Sequence, residues 1–134
     1  MKAYAGFKFK EDYSDRAFIE SICRAIESAG IKTVVMVRDY EGWGQTRIAP
    51  GDMMPIAFRA IDDCDIVIIE FSEKGTGLGI EAGYAYAKGK PVLVIAREGA
   101  EISETLEGIA SRVMFYRKPE DIQRSLEDSG IMDA

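Results

Sequence analysis

The chain has 134 residues, 47% hydrophobic and 30% charged, enough to enclose one core and too evenly mixed for a disordered or fibrous protein. A formal charge of −6 and a pI near 4.8 argue against a nucleic-acid polymer as partner, because phosphate neutralisation needs an excess of Lys and Arg. No apolar run approaches the roughly 20 residues of a membrane span, and the absence of histidine removes Ser-His-Asp and Cys-His mechanisms, histidine metal sites and histidine general bases together.

Lys2–Gly6 reads as a short strand ending in glycine. Apolar residues at Ala17, Phe18, Ile22, Ala25, Ile26 and Ala29 follow the spacing of one helix face, predicting a helix over Ser14–Ala29 with Ser14 capping its start and Gly30 its end. Ile31–Val37 is β-branched and nearly continuous, as expected of a strand covered on both faces. A glycine-rich loop, Asp39–Gly51, leads to a helix from Asp52 to Asp63, with Asp52 as its cap and Pro55 in its first turn. Asp65–Phe71 is the clearest strand. Ile80–Lys88 then predicts a short helix closed by Gly89, Pro91–Ala96 a strand, Glu101–Ile109 a helix, Arg112–Tyr116 a strand and Pro119–Glu127 a terminal helix. No repeat, linker or low-complexity segment intervenes, so residues 1–134 are expected to form one domain.

Cys23 and Cys64 lie inside apolar segments without zinc-finger spacing and read as buried thiols of a reducing compartment. No signal-peptide apolar region follows Met1, so the expected location is the cytoplasm.

About five alternations of strand and helix predict an α/β three-layer sandwich with a roughly five-stranded parallel sheet, flavodoxin-like or Rossmann-like. Ligands of such sheets bind beyond the carboxyl ends of the strands, at the switch in strand order. That rule gathers Gly6–Lys10, Arg38–Trp43, Ser72–Gly79 and Arg97–Ser103 around one crevice.

The most informative stretch is Gly75-Thr76-Gly77-Leu78-Gly79-Ile80-Glu81-Ala82-Gly83. Glycines at alternate positions predict a turn before the helix at Ile80, let backbone approach a ligand closely and leave amides free to donate. Gly77-x-Gly79-x-x-Ala82, with Glu98 downstream, also meets the loose dinucleotide pattern, but that fingerprint follows its strand tightly and several residues separate Phe71 from Gly77. Glu81 is placed in the first turn of the next helix, where free amides and the helix dipole favour the ionised form. An ionised carboxylate on a crevice floor suits a nucleophile; an acidic residue at a helix start also serves stability alone.

The run Gly77–Ala85, continued by Ala87-Lys88-Gly89-Lys90-Pro91-Val92, resembles the nucleoside 2-deoxyribosyltransferase family and its relatives, the 2′-deoxynucleoside 5′-phosphate N-hydrolases. Their hallmark is a G-x-G-x-E-x-G-x-A segment after a strand of the type D-I-V-I-I, here Asp65–Ile69. Ala3-Tyr4-Ala5-Gly6 is similar to their first strand, and Asp15-Arg16 fits the start of their first helix. The resemblance implies that Glu81 is the nucleophile at C1′ of the sugar, forming a glycosyl ester that water or a second base resolves, and that Tyr4 positions it. It implies a small-molecule nucleoside or nucleotide as substrate and a homodimer or larger symmetric assembly with sites completed by a neighbour; no cofactor or metal is expected. The candidate substrate contacts are Gly6, Phe7, Lys8, Trp43, Asp52, Gly75, Gly77 and Gly79, together with Ser103, which matches a family serine reaching across the dimer.

Several positions depart from the family pattern. Gly75 stands where the transferases have an acidic residue and the hydrolases a serine, and Ala57 where a helix aspartate is usual, with Asp52 and Asp62 nearest. Phe7-Lys8-Phe9-Lys10 replaces the hydrolases' Ser and Arg, and Gly130–Ala134 has no counterpart of the transferases' C-terminal amide. Trp43, between Gly42 and Gly44, is a candidate to stack on a base, and Lys8, Lys10, Arg38, Arg47 and Arg97 are candidates to meet a phosphate. Asp62, Asp63 and Asp65 do not follow a calcium-loop spacing. The expected function is cleavage or exchange of the base of a nucleoside or nucleoside 5′-monophosphate; the alternative is a noncatalytic nucleotide-binding module of the same fold.

Overall fold

The computed structural model describes residues 1–133. Strands β1 (Lys2–Gly6), β2 (Lys32–Val34), β3 (Ile66–Glu70), β4 (Val92–Arg97) and β5 (Arg112–Tyr116) form one parallel sheet in the order β2-β1-β3-β4-β5. The helices are α1 (Arg16–Ser28), α2 (Met36–Asp39), α3 (Pro50–Asp62), α4 (Thr76–Ala87), α5 (Glu104–Glu107) and α6 (Pro119–Ser129). Short 3₁₀ turns lie at Gly42–Gly44 and Ile131–Asp133.

The central strand shows why the sheet is covered on both faces. All five residues of β3 are buried, and successive side chains point to opposite sides. Ile66 and Ile68 join Ile22, Ile26, Ile122 and Leu126 in the core under α1 and α6. Val67 and Ile69 join Ala57, Ile61, Leu78, Ala82 and Ala85 under α3 and α4. The result is the expected three-layer α/β sandwich.

Four local departures follow from identifiable interactions. The β-branched run Ile31–Val37 is not one long strand: β2 covers three half-buried or exposed residues at the sheet edge, because the Asp39 carboxylate accepts the Val35 N–H at 2.8 Å and turns the chain into α2. Ser14 does not cap α1; its backbone N–H donates to the Asp12 carboxylate at 3.0 Å in a preceding turn, and Asp15 takes the cap position. Asp52 does not cap α3, which starts earlier at Pro50, where the fixed proline φ suits a first helical turn. The predicted helix Glu101–Ile109 shortens to the single turn of α5, capped by Ser103 and followed by Gly108.

The largest departure concerns the glycine segment. α4 begins at Thr76, four residues before the predicted start at Ile80, so Gly77 and Gly79 are helical rather than part of a turn. Gly75, Gly77 and Gly79 are all absent from the residues with positive φ. Burial of Leu78, Glu81, Ala82 and Ala85 along α4 outweighs the low helix propensity of glycine.

Gly6 ends β1 beside the sheet's switch point, paired with Ile69 of β3. A methyl group there would lie 2.9 Å from Ile69 Cδ1 and 3.4 Å from Leu78 Cδ2. Gly6→Ala is expected to cost about 1–3 kcal/mol in chemical denaturation. Combining it with Ile69→Val, which removes that Cδ1, should cost less than the sum of the two changes; strict additivity would show that the methyl group fits without crowding Ile69.

Candidate active site

From β1 the chain runs outward to β2 on one side, then returns to β3 on the other. Loops leaving β1 and β3 therefore diverge, and a crevice of about 300 Å³ opens at their carboxyl ends. Tyr4, Gly6, Gly75, Gly77, Leu78 and Glu81 line it from β1 and α4. Met36, Glu41 and Ile48 line it from the segment between β2 and α3, Pro50, Met53 and Met54 from the start of α3, and Lys8, Phe9 and Lys10 from the chain after β1.

Tyr4 points from the middle of β1 into the core shared with α3 and α4 and is 1% exposed. Its hydroxyl donates to Glu81 Oε2. Glu81 lies in the second turn of α4, not the first, and is 8% exposed. The expectation that a helix start would favour its ionised form is therefore corrected: burial pushes the carboxyl up to about 7, against the downward pull of the Tyr4 hydroxyl. Burial, then the neighbouring Glu81 charge, pushes the Tyr4 phenol well above its usual range, so it remains a donor. One turn before Glu81, Gly77 has no side chain, and a Cβ there would sit 4.0 Å from Glu81 Oε1. Glycine thus leaves that carboxylate oxygen uncovered from the preceding turn.

Of the residues singled out in the sequence, Tyr4, Gly6, Phe7, Lys8, Gly75, Gly77 and Glu81 meet in this crevice. Trp43, Asp52, Gly79 and Ser103 do not line it. Trp43 has φ +60° between Gly42 and Gly44, at +53° and +97°. Its ring packs on the core of Ala5, Ile19, Cys23 and Val35 under the Arg16 guanidinium, 4.8 Å from the ring centroid. Asp52 is exposed in the first turn of α3. Ser103 accepts the Leu106 N–H at 3.4 Å and shares a separate depression with Gly79 and Ile109. Arg38 bonds Asp39 and Thr33, and Arg47 reaches the Glu11 carbonyl. Asp62 accepts the Tyr84 hydroxyl at 2.7 Å and Asp65 the Lys2 N–H at 2.8 Å.

Two buried acids escaped the sequence reading. Glu70, at the end of β3, accepts hydrogen bonds from the Ser72 hydroxyl, the Ser72 N–H and the Tyr116 hydroxyl, tying β3 to β5. It lines a smaller depression with Lys8, Lys10, Ser72, Glu73 and Arg97. Glu41 faces the main crevice, and its Oε2 accepts the Ile48 N–H at 3.0 Å and the Tyr13 hydroxyl at 3.5 Å. A lone carboxylate in a glycine-rich loop carries no local signal of burial.

The family model for nucleoside 2-deoxyribosyltransferase matches residues 4–132. The chain belongs to this family. A candidate 2′-deoxynucleoside 5′-phosphate N-hydrolase 1 of Thermofilum pendens is 25% identical over 130 residues, 95% of this chain and 91% of that protein. Among solved structures, a CMP N-glycosidase of Clostridium botulinum superposes with a TM-score of 0.66 at 19% identity, covering 95% of this chain and 98% of that one. A 2-deoxyribosyltransferase of Bacillus psychrosaccharolyticus superposes at 0.65 with 16% identity, covering 92% and 90%. As a member of the nucleoside 2-deoxyribosyltransferase family, the protein is an enzyme of nucleoside base cleavage or exchange.

Glu81 also weighs on stability. The folded chain holds its proton up to about 7, whereas the unfolded chain releases it near the ordinary 4.5. Ionising it therefore costs stability progressively from pH 4.5 to 7, at about 1.4 kcal/mol per pH unit, and by a constant amount above. Glu81→Gln should raise thermal stability relative to the parent protein more at pH 8 than at pH 5. Equal shifts at the two pH values in scanning calorimetry would show that burial does not perturb this carboxyl.

Proposed function

We propose that the protein cleaves the N-glycosidic bond of a nucleoside or nucleoside 5′-monophosphate, with Glu81 as nucleophile. The observation that carries the reading is the buried Glu81 carboxylate, held through Oε2 by Tyr4 and open at Oε1 past Gly77. Oε1 forms a bond to C1′ as the C1′–N bond breaks, and that electron pair leaves with the base, which takes a proton from solvent. Water then hydrolyses the glycosyl ester, or a second base replaces the first. Desolvation raises the energy of the attacking carboxylate, and the Tyr4 hydroxyl keeps enough of it ionised near neutral pH. Tyr4 acts as a positioning residue.

The 5′-monophosphate is the favoured substrate form. Lys8 and Lys10 line both the crevice and the adjoining depression, and both share the single carboxylate of exposed Glu73, at 3.9 and 3.1 Å. A phosphate takes the place of Glu73 on these lysines without an energetic penalty from burial. Ser103 serves this site only from a second copy of the chain. Ile80 and Tyr86, 45% and 58% exposed on α4, are apolar surface that such a copy covers. Light scattering at micromolar concentration should then give at least twice 14.8 kDa; a monomer removes the shared site.

Incubation with nucleosides and their 5′-monophosphates, followed by chromatography, should detect free base, with the monophosphates consumed faster. Glu81→Gln should abolish release and retain ligand binding; a fully active variant would refute the mechanism, and binding without release by the parent protein supports the noncatalytic alternative. Only ionised Glu81 attacks, so kcat/KM should rise about tenfold per pH unit below 7 and level off above it. Tyr4→Phe removes the interaction that lowers the Glu81 pKa, so the rising limb should move to higher pH. A limb that stays in place would deny Tyr4 this role.

A further inference from the structure

Glu41 is 3% exposed, yet both of its hydrogen bonds end on one oxygen, Oε2. Among the described residues no donor reaches Oε1. Every fully buried side-chain oxygen or nitrogen there has a partner, so Oε1 retains accessible surface, and the crevice is the space that Glu41 lines. The carboxylate thus has one oxygen committed to holding the loop and one presented to whatever fills the cavity. Its surroundings from the same segment and from α3 are apolar: Met36, Ile48, Met53 and Met54. A flat ring between such side chains, met by one polar group, is a common form of small-molecule recognition.

The topology sets the distance scale. The Glu41 segment follows β2 and the Glu81 helix follows β3, with β1 between them, so their parent strands are roughly 10 Å apart. Glu41 and Glu81 thus reach the same crevice from opposite sides of β1, as the two ends of a nucleoside, base and sugar, require.

We propose that Glu41 selects the nucleobase, its Oε1 accepting a hydrogen bond from the exocyclic amino group of an amino-bearing base such as cytosine or adenine. The oxo counterparts, uracil and hypoxanthine, present a carbonyl oxygen at that position, which repels Oε1 and leaves it without a donor. The inference rests on the crevice being the nucleoside site. It goes further in assigning base choice to a residue that the reaction at Glu81 does not use.

Glu41→Gln separates the two oxygens' roles. A glutamine carbonyl still accepts the Ile48 N–H, while its amide NH₂ takes the place of Oε1 and donates. Calorimetric binding of cytidine, uridine, adenosine and inosine 5′-monophosphates, and of their 2′-deoxy forms, would be measured on Glu81→Gln protein with Glu41 intact and with Glu41→Gln. With Glu41 intact, the amino member of each pair should bind about tenfold or more tightly than the oxo member. Glu41→Gln should erase or reverse that ratio. Both members of a pair are measured on one preparation, so any loss of folded protein cancels. A ratio that Glu41→Gln leaves unchanged, equal binding with Glu41 intact, or no binding of any of the nucleotides overturns the proposal. Base release is read separately on protein with intact Glu81: amino preference without release leaves the role of Glu41 standing and removes the glycosidase reading instead.

Discussion

The hydrogen bond from Tyr4 to Glu81 joins the two halves of the molecule that meet at the switch in strand order. Tyr4 belongs to β1 and is held by its pairing with Val34 and Val67 on either side. Glu81 belongs to α4, whose apolar side packs on β3 and β4. A carboxylate buried in such a place is costly unless a donor reaches it, and Tyr4 is the hydrogen-bond partner that reaches Glu81. The sheet register and the seating of α4 must both be right for this contact to form. The geometry of this pair is in that sense a readout of the tertiary fold.

Around that contact the molecule accepts local cost. Glycines at Gly77 and Gly79 weaken a helix by roughly 1 kcal/mol each relative to alanine. Gly77 nevertheless keeps one face of Glu81 clear. The loop over the crevice concentrates left-handed backbone at Gly42, Trp43 and Gly44, and Tyr13 beside it has φ +54°. A Cβ on Gly44 would lie 2.9 Å from the Tyr13 ring, so this pair packs together only because Gly44 lacks one. Such backbone persists where packing over-determines it: Trp43 packs its half-buried ring on the α1 side of the sheet, while Glu41 ties the loop to Ile48 and Tyr13. The two residues anchor opposite faces of one short segment, one in the core and one at the crevice.

Other charges, at the crevice rim and beyond it, are handled differently. Glu70 is buried but saturated by Ser72 and Tyr116, so it acts as a structural tie between β3 and β5. Lys8 and Lys10 share exposed Glu73, an arrangement that solvent weakens. Glu98, spaced for a dinucleotide ribose, instead pairs with Arg117 at 2.6 Å on the surface. Glu81 is the carboxylate the fold perturbs most clearly among those in the crevice.

Sequence alone determined four of the five strands and singled out the acid of α4. Asp65–Phe71, Pro91–Ala96 and Arg112–Tyr116 were legible because strands covered by helices need continuous apolar runs, and Glu81 was legible because its glycine-spaced motif is local. Where local and long-range forces compete, tertiary structure decided. Ile31–Val37 has the composition of a strand, but its last residues serve the core and the crevice wall after Asp39 turns the chain. Glycine propensity predicted a turn over Gly75–Gly79, and burial of Leu78, Ala82 and Ala85 made it a helix. Moving that helix start by four residues carried Glu81 from a dipole-stabilised end into the interior, which reversed the direction of its pKa shift. Glu41 and Trp43 show the same limit from the other side: which of them faces the crevice and which the core depends on backbone dihedrals and on contacts with residues distant in the chain. Burial is a property of the whole fold, and no spacing within a single loop encodes it.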